Sequence, residues 1–456
     1  MQFSLFVTLL TAITGGLAFY VHRRLSTAFG FSPRTRRILG ILLAVSLLAL
    51  PLGRLARSIV PTGGARMLSS VGFLLTLSLL ITGVCLALTD LLRLVLRLAR
   101  RIVLRGESRD GTRDATSPAG ALVASDDTAA RADDTAARVD DAPARADDAP
   151  ARADDGASRP VPPQRPLAAD APALALPRRD FLAQGAASAA LLAGAGTSLY
   201  GALVGRHDYV IEEVAVRIPG LPRSLDGFTL LQFSDIHFGL FIGEREIAVA
   251  EDLVRKARGD LVVLTGDLID NDPAYADMLG RFTRRIAPLT RGGVSAIPGN
   301  HDHFAGIDAT VGALERGGAT VLRNRGQVIG DKGGAFALLG VDDVWARKRI
   351  PGGGPDLARA LADVPPDLAR VLLAHNPVYF PEAAGQVALQ LSGHTHGGQV
   401  NPVVHPGSWV LPYGYVAGLY QRDGSTLYVN RGFGVAGPPA RVNAPPELTR
   451  IVLVAA

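Results

Sequence analysis

The chain has 456 residues, a formal charge of +5, 48% hydrophobic and 20% charged side chains, and a single cysteine, Cys85. That length exceeds one ordinary domain, and one cysteine excludes an intrachain disulfide and a cysteine-held structural zinc. The positive charge is local: residues 1–105 carry 13 Arg and one acid, 106–177 carry 8 Arg and 14 acids, and 178–456 carry 26 Lys+Arg against 27 Asp+Glu. A basic excess confined to the flanks of apolar segments is a membrane signal, not the footprint of a long nucleic acid.

Residues 1–21 hold no charged side chain, and His22-Arg23-Arg24 follow at once. Charge after the apolar run, not before it, is the reverse of a secretory signal and predicts a transmembrane helix with its N-terminus outside. A second uncharged run, Ile38–Gly53, is short and extends past Arg54 by snorkelling; a third, Met67–Thr89, is a full span. Arg23, Arg24, Arg34, Arg36 and Arg37 lie between the first two runs, and Arg93, Arg97, Arg100, Arg101 and Arg105 follow the third. By the positive-inside rule both segments are cytoplasmic, so 1–105 reads as a membrane region with three transmembrane helices. Residues 106–177 repeat a seven-residue unit (Ser125-Asp126-Asp127-Thr128-Ala129-Ala130-Arg131 and its copies) that offers mostly alanine, too little for a coiled-coil seam. This segment is expected to be a disordered linker. Within 178–206, Arg178-Arg179 precede a fourth uncharged run, Phe181–Gly205. The arginine pair fits a twin-arginine export motif or a positive-inside flank, and its internal position favours the flank. On either reading the chain beyond this run lies outside the cytoplasm.

From Val210 the pattern changes. Val214, Val216 and Ile218 alternate as in a strand. Short apolar runs over 229–233, 261–265, 294–297, 336–339, 371–373, 387–391 and 426–429 then alternate with helical stretches near 245–257, 275–286 and 356–361. Strands apolar on both faces, with helices between them, mean sheets covered by helices. Residues 207–456 are thus expected to form one α/β domain.

Five of these strands run into metal-binding residue types: Ser234-Asp235-Ile236-His237, Gly266-Asp267-Leu268-Ile269-Asp270, Gly299-Asn300-His301-Asp302-His303, Ala374-His375-Asn376 and Gly393-His394-Thr395-His396. At a strand end positions i and i+2 point the same way, so His394 and His396 converge. A lone histidine is more often a packed or surface residue than a ligand. Here six of the nine histidines fall in such motifs, at the carboxyl ends of strands where α/β folds bind their ligands. Mixed carboxylate, amide and imidazole donors suit Mn, Fe or Zn, and more than four of them point to two ions. Two ions about 3.5–4 Å apart suit in-line displacement at phosphorus.

In this order the motifs D-x-H, G-D-x-x-D, G-N-H-D, a separate His and G-H-T-H resemble the signature of the calcineurin-like metallophosphoesterases, over about residues 209–456. Gly397-Gly398-Gln399, Leu427-Tyr428-Val429-Asn430-Arg431-Gly432 and Pro446-Glu447 look like the membrane-linked bacterial subgroup. That subgroup includes transmembrane proteins with a metallophosphoesterase domain and UDP-diacylglucosamine pyrophosphatase-like proteins. The resemblance implies a four-layer α/β/β/α sandwich, here preceded by transmembrane helices and the linker. It also implies two divalent metal ions, one held by Asp235, His237 and His396, the other by Asn300, His375 and His394, with Asp267 bridging. His301 would act near the leaving oxygen as acid or charge stabiliser, oriented by Asp302. His303 and Asp270 would be supporting residues, and His22, His207 and His405 receive no role.

About five residues, Gly205–Tyr209, separate the fourth run from the first strand, which holds the domain against the bilayer. Trp409, Tyr413, Tyr415 and Tyr420 cluster in a Pro/Gly-rich stretch, either as the core of a hairpin or as an interfacial platform. The expectation is a membrane-anchored phosphoesterase that cleaves a phosphodiester or pyrophosphate bond in a lipid or lipid-linked substrate by metal-activated hydroxide attack. It would sit in the bacterial inner membrane with the catalytic domain on the extracytoplasmic face. The alternatives are an anchored nucleotide phosphodiesterase acting on soluble substrates and a non-catalytic membrane sensor on the same fold. A near-neutral catalytic region argues against long nucleic acid.

Overall fold

The run Leu261-Val262-Val263-Leu264 has no polar side chain, so as a strand it must be covered on both faces. The computed structural model describes residues 2–55, 62–110, 177–402 and 407–456, and it builds that cover from two sheets. In chain order the strands are β1 (Val210–Ile218), β2 (Thr229–Phe233), β3 (Leu261–Thr265), β4 (Val294–Ile297), β5 (Ala319–Val321), β6 (Arg325–Asp331), β7 (Gly334–Gly340), β8 (Arg370–Leu373), β9 (Leu389–Ser392), β10 (Gly418–Arg422), β11 (Ser425–Val429) and β12 (Glu447–Ala455). The main helices are α1 (Gln2–Ala28), α2 (Pro33–Leu55), α3 (Thr62–Asp110), α4 (Arg178–Leu203), α5 (Glu244–Ala257), α6 (Ala276–Ile286), α7 (Asn300–Ala305), α8 (Ile307–Arg316) and α9 (Leu357–Ala362).

The first sheet has the order β1-β12-β2-β3-β4-β5 and the second β10-β11-β9-β8-β7-β6. In the first, β2 to β5 run parallel and β12 pairs antiparallel with β2. In the second, β11, β9, β8 and β7 run parallel and the edges β10 and β6 are antiparallel. Alternation along each strand makes the layers. Leu230, Leu261, Val263 and Ile297 face Leu338, Val371, Leu373 and Leu391 of the other sheet. Leu231, Val262, Leu264 and Ala296 turn outward onto Ile247 and Val254 of α5 and Leu279 and Phe282 of α6. On the far side Leu339 and Leu372 pack against Leu357 and Ala360 of α9. This is the expected α/β/β/α sandwich, and it sets the carboxyl ends of the parallel strands of both sheets along one edge.

Four strands were not expected. β5 has three residues, β6 is a glycine-containing edge strand, β10 is an exposed edge, and β12 passes between β1 and β2. β12 closes the sheet with the end of the chain, a pairing that no local signal announces.

The chain divides into one unit of residues 1–90 with 180–456 and a second of 91–179. Within the first, Tyr20 Oη and Arg24 Nη2 of α1 donate to the Asp90 carboxylate of α3 at 2.8 and 2.6 Å. A Cβ on Gly194 of α4 would run into the Thr82 hydroxyl of α3, so the two helices approach closely there. Among the described residues two stretches, Met67–Arg101 and Arg178–His207, are long and apolar enough to cross a membrane. The expected first two spans fall on α1 and α2. Of the expected linker, residues 106–110 finish α3 and 111–176 lie outside the described residues.

Candidate metal centre

The turns that leave β2, β3 and β9 toward this edge are sharp. Asp235, His237, Asp267, His394 and His396 all have positive φ, between 52° and 73°, a region that costs a non-glycine residue energy and persists only where neighbours enforce it. Neighbours do. The Gly266 carbonyl accepts from Asp235 N at 2.9 Å, and the Asp267 carbonyl from His237 N at 3.0 Å. Asp235 accepts the N–H of His394 at 3.0 and 2.9 Å on its two oxygens, tying the end of β2 to the end of β9. Gly393 allows that approach, since a Cβ there would run into the side chains of Ser234 and Asp235.

Among the described residues the side chains converge in three groups, Asp235 with His237 and His396, Asp267 with His375 and His394, and, sharing His237 with the first, His237 with Asp270 and His301. In the first, His396 Nε2 lies 3.1 Å from His237 Nε2 and 3.3 Å from Asp235 Oδ1. In the second, His375 Nε2 lies 3.2 Å from Asp267 Oδ2 and 3.3 Å from His394 Nδ1. His375 Nδ1–H donates to the Thr265 carbonyl at 2.8 Å, which aims Nε2 inward. His237 Nε2 stands 3.8 Å from the same Asp267 oxygen, so that carboxylate faces both the first and the second group. Asn300 Oδ1 and His237 Nδ1 are buried without hydrogen-bond partners. Facing lone pairs on imidazoles, orphaned acceptors and buried carboxylates are costly alone, and they are the donor set a divalent cation needs.

The electrostatics favour cation binding at Asp267 and His396. Against burial, Asp267 holds the His375 imidazole well above its ordinary value, toward the protonated form that a bound cation would displace. Burial pulls the Asp267 carboxyl upward, yet His375, with His237 and His301, holds it well below the usual carboxylate range. Burial, then His237 and Arg441, hold the His396 imidazole well below its ordinary value, so it stays an unprotonated donor.

His301 and Asp302 part company. Asp302 was expected to orient His301, and it does not. Its Oδ1 accepts the N–H groups of Leu268 and Ile269 at 3.0 and 3.1 Å, and its Oδ2 accepts Gly299 N at 2.8 Å, the capping position for α7. Burial, with Asp267 next, pushes this carboxyl up to about 7. The carboxylate that faces His301 Nδ1 is Asp270, at 3.7 Å, an ion-pair distance and not a hydrogen bond. Burial lowers the His301 imidazole, but Asp270 and Asp267 raise it on balance. His303 lies outside the cluster, with Nε2 2.8 Å from Asp342 Oδ1.

Two residues had no motif to announce them. Asp343, past the end of β7, is buried with Oδ2 unpartnered, and burial raises its carboxyl against the pull of His375 and His394. Arg441 is buried with Nη2 3.4 Å from His396 Nδ1; burial draws its guanidinium down to about 10.

Residues 228–398 match the family model described as calcineurin-like phosphoesterase. The chain is 32% identical over 293 residues to an uncharacterized metallophosphoesterase, YkuE, of Bacillus subtilis, an alignment that takes in 60% of this chain and 97% of that protein. It belongs to the calcineurin-like metallophosphoesterase family. This metallophosphoesterase is also 32% identical over 280 residues to a transmembrane protein with metallophosphoesterase domain of Danio rerio, covering 58% of this chain and 62% of that one. The structure superposes on a dimetal phosphatase from Danio rerio at 12% identity with a TM-score of 0.30, covering 45% of this chain and 88% of that chain. As a member of the family the chain is a metal-dependent phosphoesterase, and its clustered carboxylates and imidazoles could hold a metal ion.

Proposed function

We propose that this chain is a membrane-anchored, dinuclear phosphoesterase that hydrolyses a phosphodiester or pyrophosphate bond in a lipid or lipid-linked molecule, on the extracytoplasmic face of a bacterial inner membrane. The observation that carries the two-ion part is the position of Asp267, whose Oδ2 faces His375 Nε2 at 3.2 Å and His237 Nε2 at 3.8 Å. On this reading Asp235, His237 and His396 would hold one ion, Asn300, His375 and His394 the other, and Asp267 would serve both. When bound, such a pair supplies Lewis acidity at the phosphoryl oxygens and an activated water as nucleophile. The chain's own part is geometric. The Thr265 carbonyl orients His375, the Asp235 carboxylate pins the turn of His394, and His301, backed by Asp270, is aimed to protonate the leaving oxygen or stabilise its charge.

Three observations support a lipid substrate. A turn of Gly205–His207 is all that stands between α4 and the domain, before β1 begins at Val210. A cavity of about 250 Å³ opens beside His394, walled by Pro377, Val378, Leu411, Pro412 and Tyr415. Past it, Trp409 and Tyr413 are 75% and 60% exposed, while Tyr415 and Tyr420 pack on Phe380, so the aromatic stretch is half hairpin core and half open surface. Exposed aromatics near an apolar cavity suit a substrate that arrives from a bilayer.

The test is turnover by the full chain in lipid nanodiscs with Mn²⁺, offering a UDP-linked lipid, an aryl phosphodiester and an aryl phosphomonoester, with Asp267→Ala as the blank. Membrane co-localisation predicts a kcat/KM for the lipid about a hundredfold above that for the aryl diester. Equal turnover of both would transfer the assignment to an anchored enzyme of soluble nucleotides. No turnover by a protein that binds metal would leave the sensor.

A further inference from the structure

Arg441 is among the largest side chains of this chain to be wholly buried, and no carboxylate bonds to it among the described residues. Its guanidinium spends its donors on main-chain carbonyls instead: Nε and Nη2 on Gly434 at 2.8 and 2.6 Å, and Nη1 on Arg431 and Ala444 at 2.9 Å each. The remaining contacts are with His396, Nη1 3.5 Å from its carbonyl and Nη2 3.4 Å from its Nδ1. Burying a guanidinium without a bonded counter-ion is costly. A planar fork that must join several fixed carbonyls is the use that lysine cannot replace.

What the fork joins is specific. Phe433 N and Gly434 N donate to the carbonyls of Ser234 and Asp235 at 2.8 Å each, so the 431–434 turn holds the backbone of Asp235. Arg441 therefore clamps the segment that supports Asp235 to the segment that carries His396. Both of those residues sit at positive φ, a conformation that depends on its surroundings.

The main chain of the same residue points the other way. Arg441 N donates to the Gly201 carbonyl of α4 at 3.0 Å. A Cβ on Gly201 would stand 2.8 Å from Val442 Cγ2, and one on Gly205 would run into the Arg441 carbonyl. The last turn of α4 thus lies flat on residues 441–442 because two glycines leave room.

We infer that Arg441 is a positioning residue through which the docked end of α4 fixes Asp235 and His396, so that the affinity of this half of the centre for metal depends on the anchor helix. The inference rests on the proposed two-ion reading and adds a membrane-side support to one of its halves. Substitutions of groups that orient metal ligands typically weaken metal binding about ten- to a hundredfold.

The experiment is Mn²⁺ titration of the full chain in nanodiscs, followed by electron paramagnetic resonance, which reads free and bound ion and separates single from paired ions. Thermal unfolding is recorded alongside. The wild type is expected to bind two ions. Arg441→Met and Arg441→Lys are expected to bind one ion as the wild type does and the other at least about tenfold more weakly. Gly205→Val, which alters no ligand and no side chain of the site, is expected to weaken the same ion. If Arg441→Met does not fold, Arg441→Lys and Gly205→Val decide. Two ions bound with unchanged affinity by folded Arg441→Lys and Gly205→Val overturn the inference. A wild type that binds a single ion overturns the dinuclear reading instead.

Discussion

The two halves of the proposed metal centre stand on different supports. His375 is oriented by the Thr265 carbonyl at the end of β3, and Asp267 Oδ1 accepts His301 N at 2.8 Å from the start of α7. Those supports are strands and turns of the two-sheet body, anchored in its fully buried core. The half that contains Asp235, His237 and His396 reaches further. Arg441 carries it to α4, and the loop after His237 touches α3, where the rings of Phe241 and Phe73 meet edge to face at 6.5 Å. A site assembled on one rigid core should tolerate changes outside that core, whereas a site shared with a membrane helix should not.

The largest effect is expected where both halves meet. Asp267→Ala removes the carboxylate common to the two groups, and loss of turnover on the order of 10³-fold or more is expected, with neither ion held normally. Asp235→Ala and His394→Ala should each abolish most turnover yet differ in metal content, each losing the ion of its own half. Were both to lose both ions equally, the division into halves would be wrong. Removing metal altogether with a chelator should lower thermal stability in scanning calorimetry. An ion present at about 100 times its Kd contributes about 2.7 kcal/mol.

A smaller and sharper contrast lies in the two acids flanking His301. Asp270 faces the imidazole from 3.7 Å, while Asp302 is spent on three backbone N–H groups. His301→Ala should lower kcat about 10²-fold with metal content intact. Asp270→Asn should reproduce part of that loss and leave the melting temperature nearly unchanged. Asp302→Asn should do the opposite. It puts an amide donor against an N–H it used to accept from, at a cost of about 1–3 kcal/mol in denaturant unfolding.

The contrast between these acids also marks how far the sequence could be read. The strand-end motifs were legible because each combines a local apolar run with a chemically unusual pair or triplet. Asp235, His237, Asp267, His375, His394 and His396, each read from such a motif, lie near one another at this edge. Partnership across turns was not legible. Nothing in Gly299-Asn300-His301-Asp302 says that Oδ1 of Asp302 will be taken by the N–H groups of Leu268 and Ile269, since those come from another loop. β12 and Arg441 were missed for the same reason. Their roles are set by what they meet, β2 for the strand and the 431–434 turn with α4 for the arginine, and not by the residues beside them. The edge strand β6, with polar and glycine residues along its length, lacks the alternation that a half-buried strand would show.

The smallest effect should come from the surface beyond the second half, and it bears on which half meets the lipid. The apolar cavity opens beside His394 and not beside His396. Tyr413 stacks obliquely on Tyr415, a wall of that cavity, with ring centroids 5.5 Å apart, and Trp409 stands 75% exposed one turn away. If a lipid tail enters here, Trp409→Ser with Tyr413→Ser should raise KM for the UDP-linked lipid by several-fold, about 1 kcal/mol for two interfacial aromatic side chains. The same variant should lose much less on the aryl diester, and it should bind metal as the wild type does. An equal loss on both substrates would mean that the loop shapes the phosphoryl site itself. No loss on either would move the lipid entry to the other half, where α3 touches the loop after His237 and α4 the Arg441 segment that meets His396.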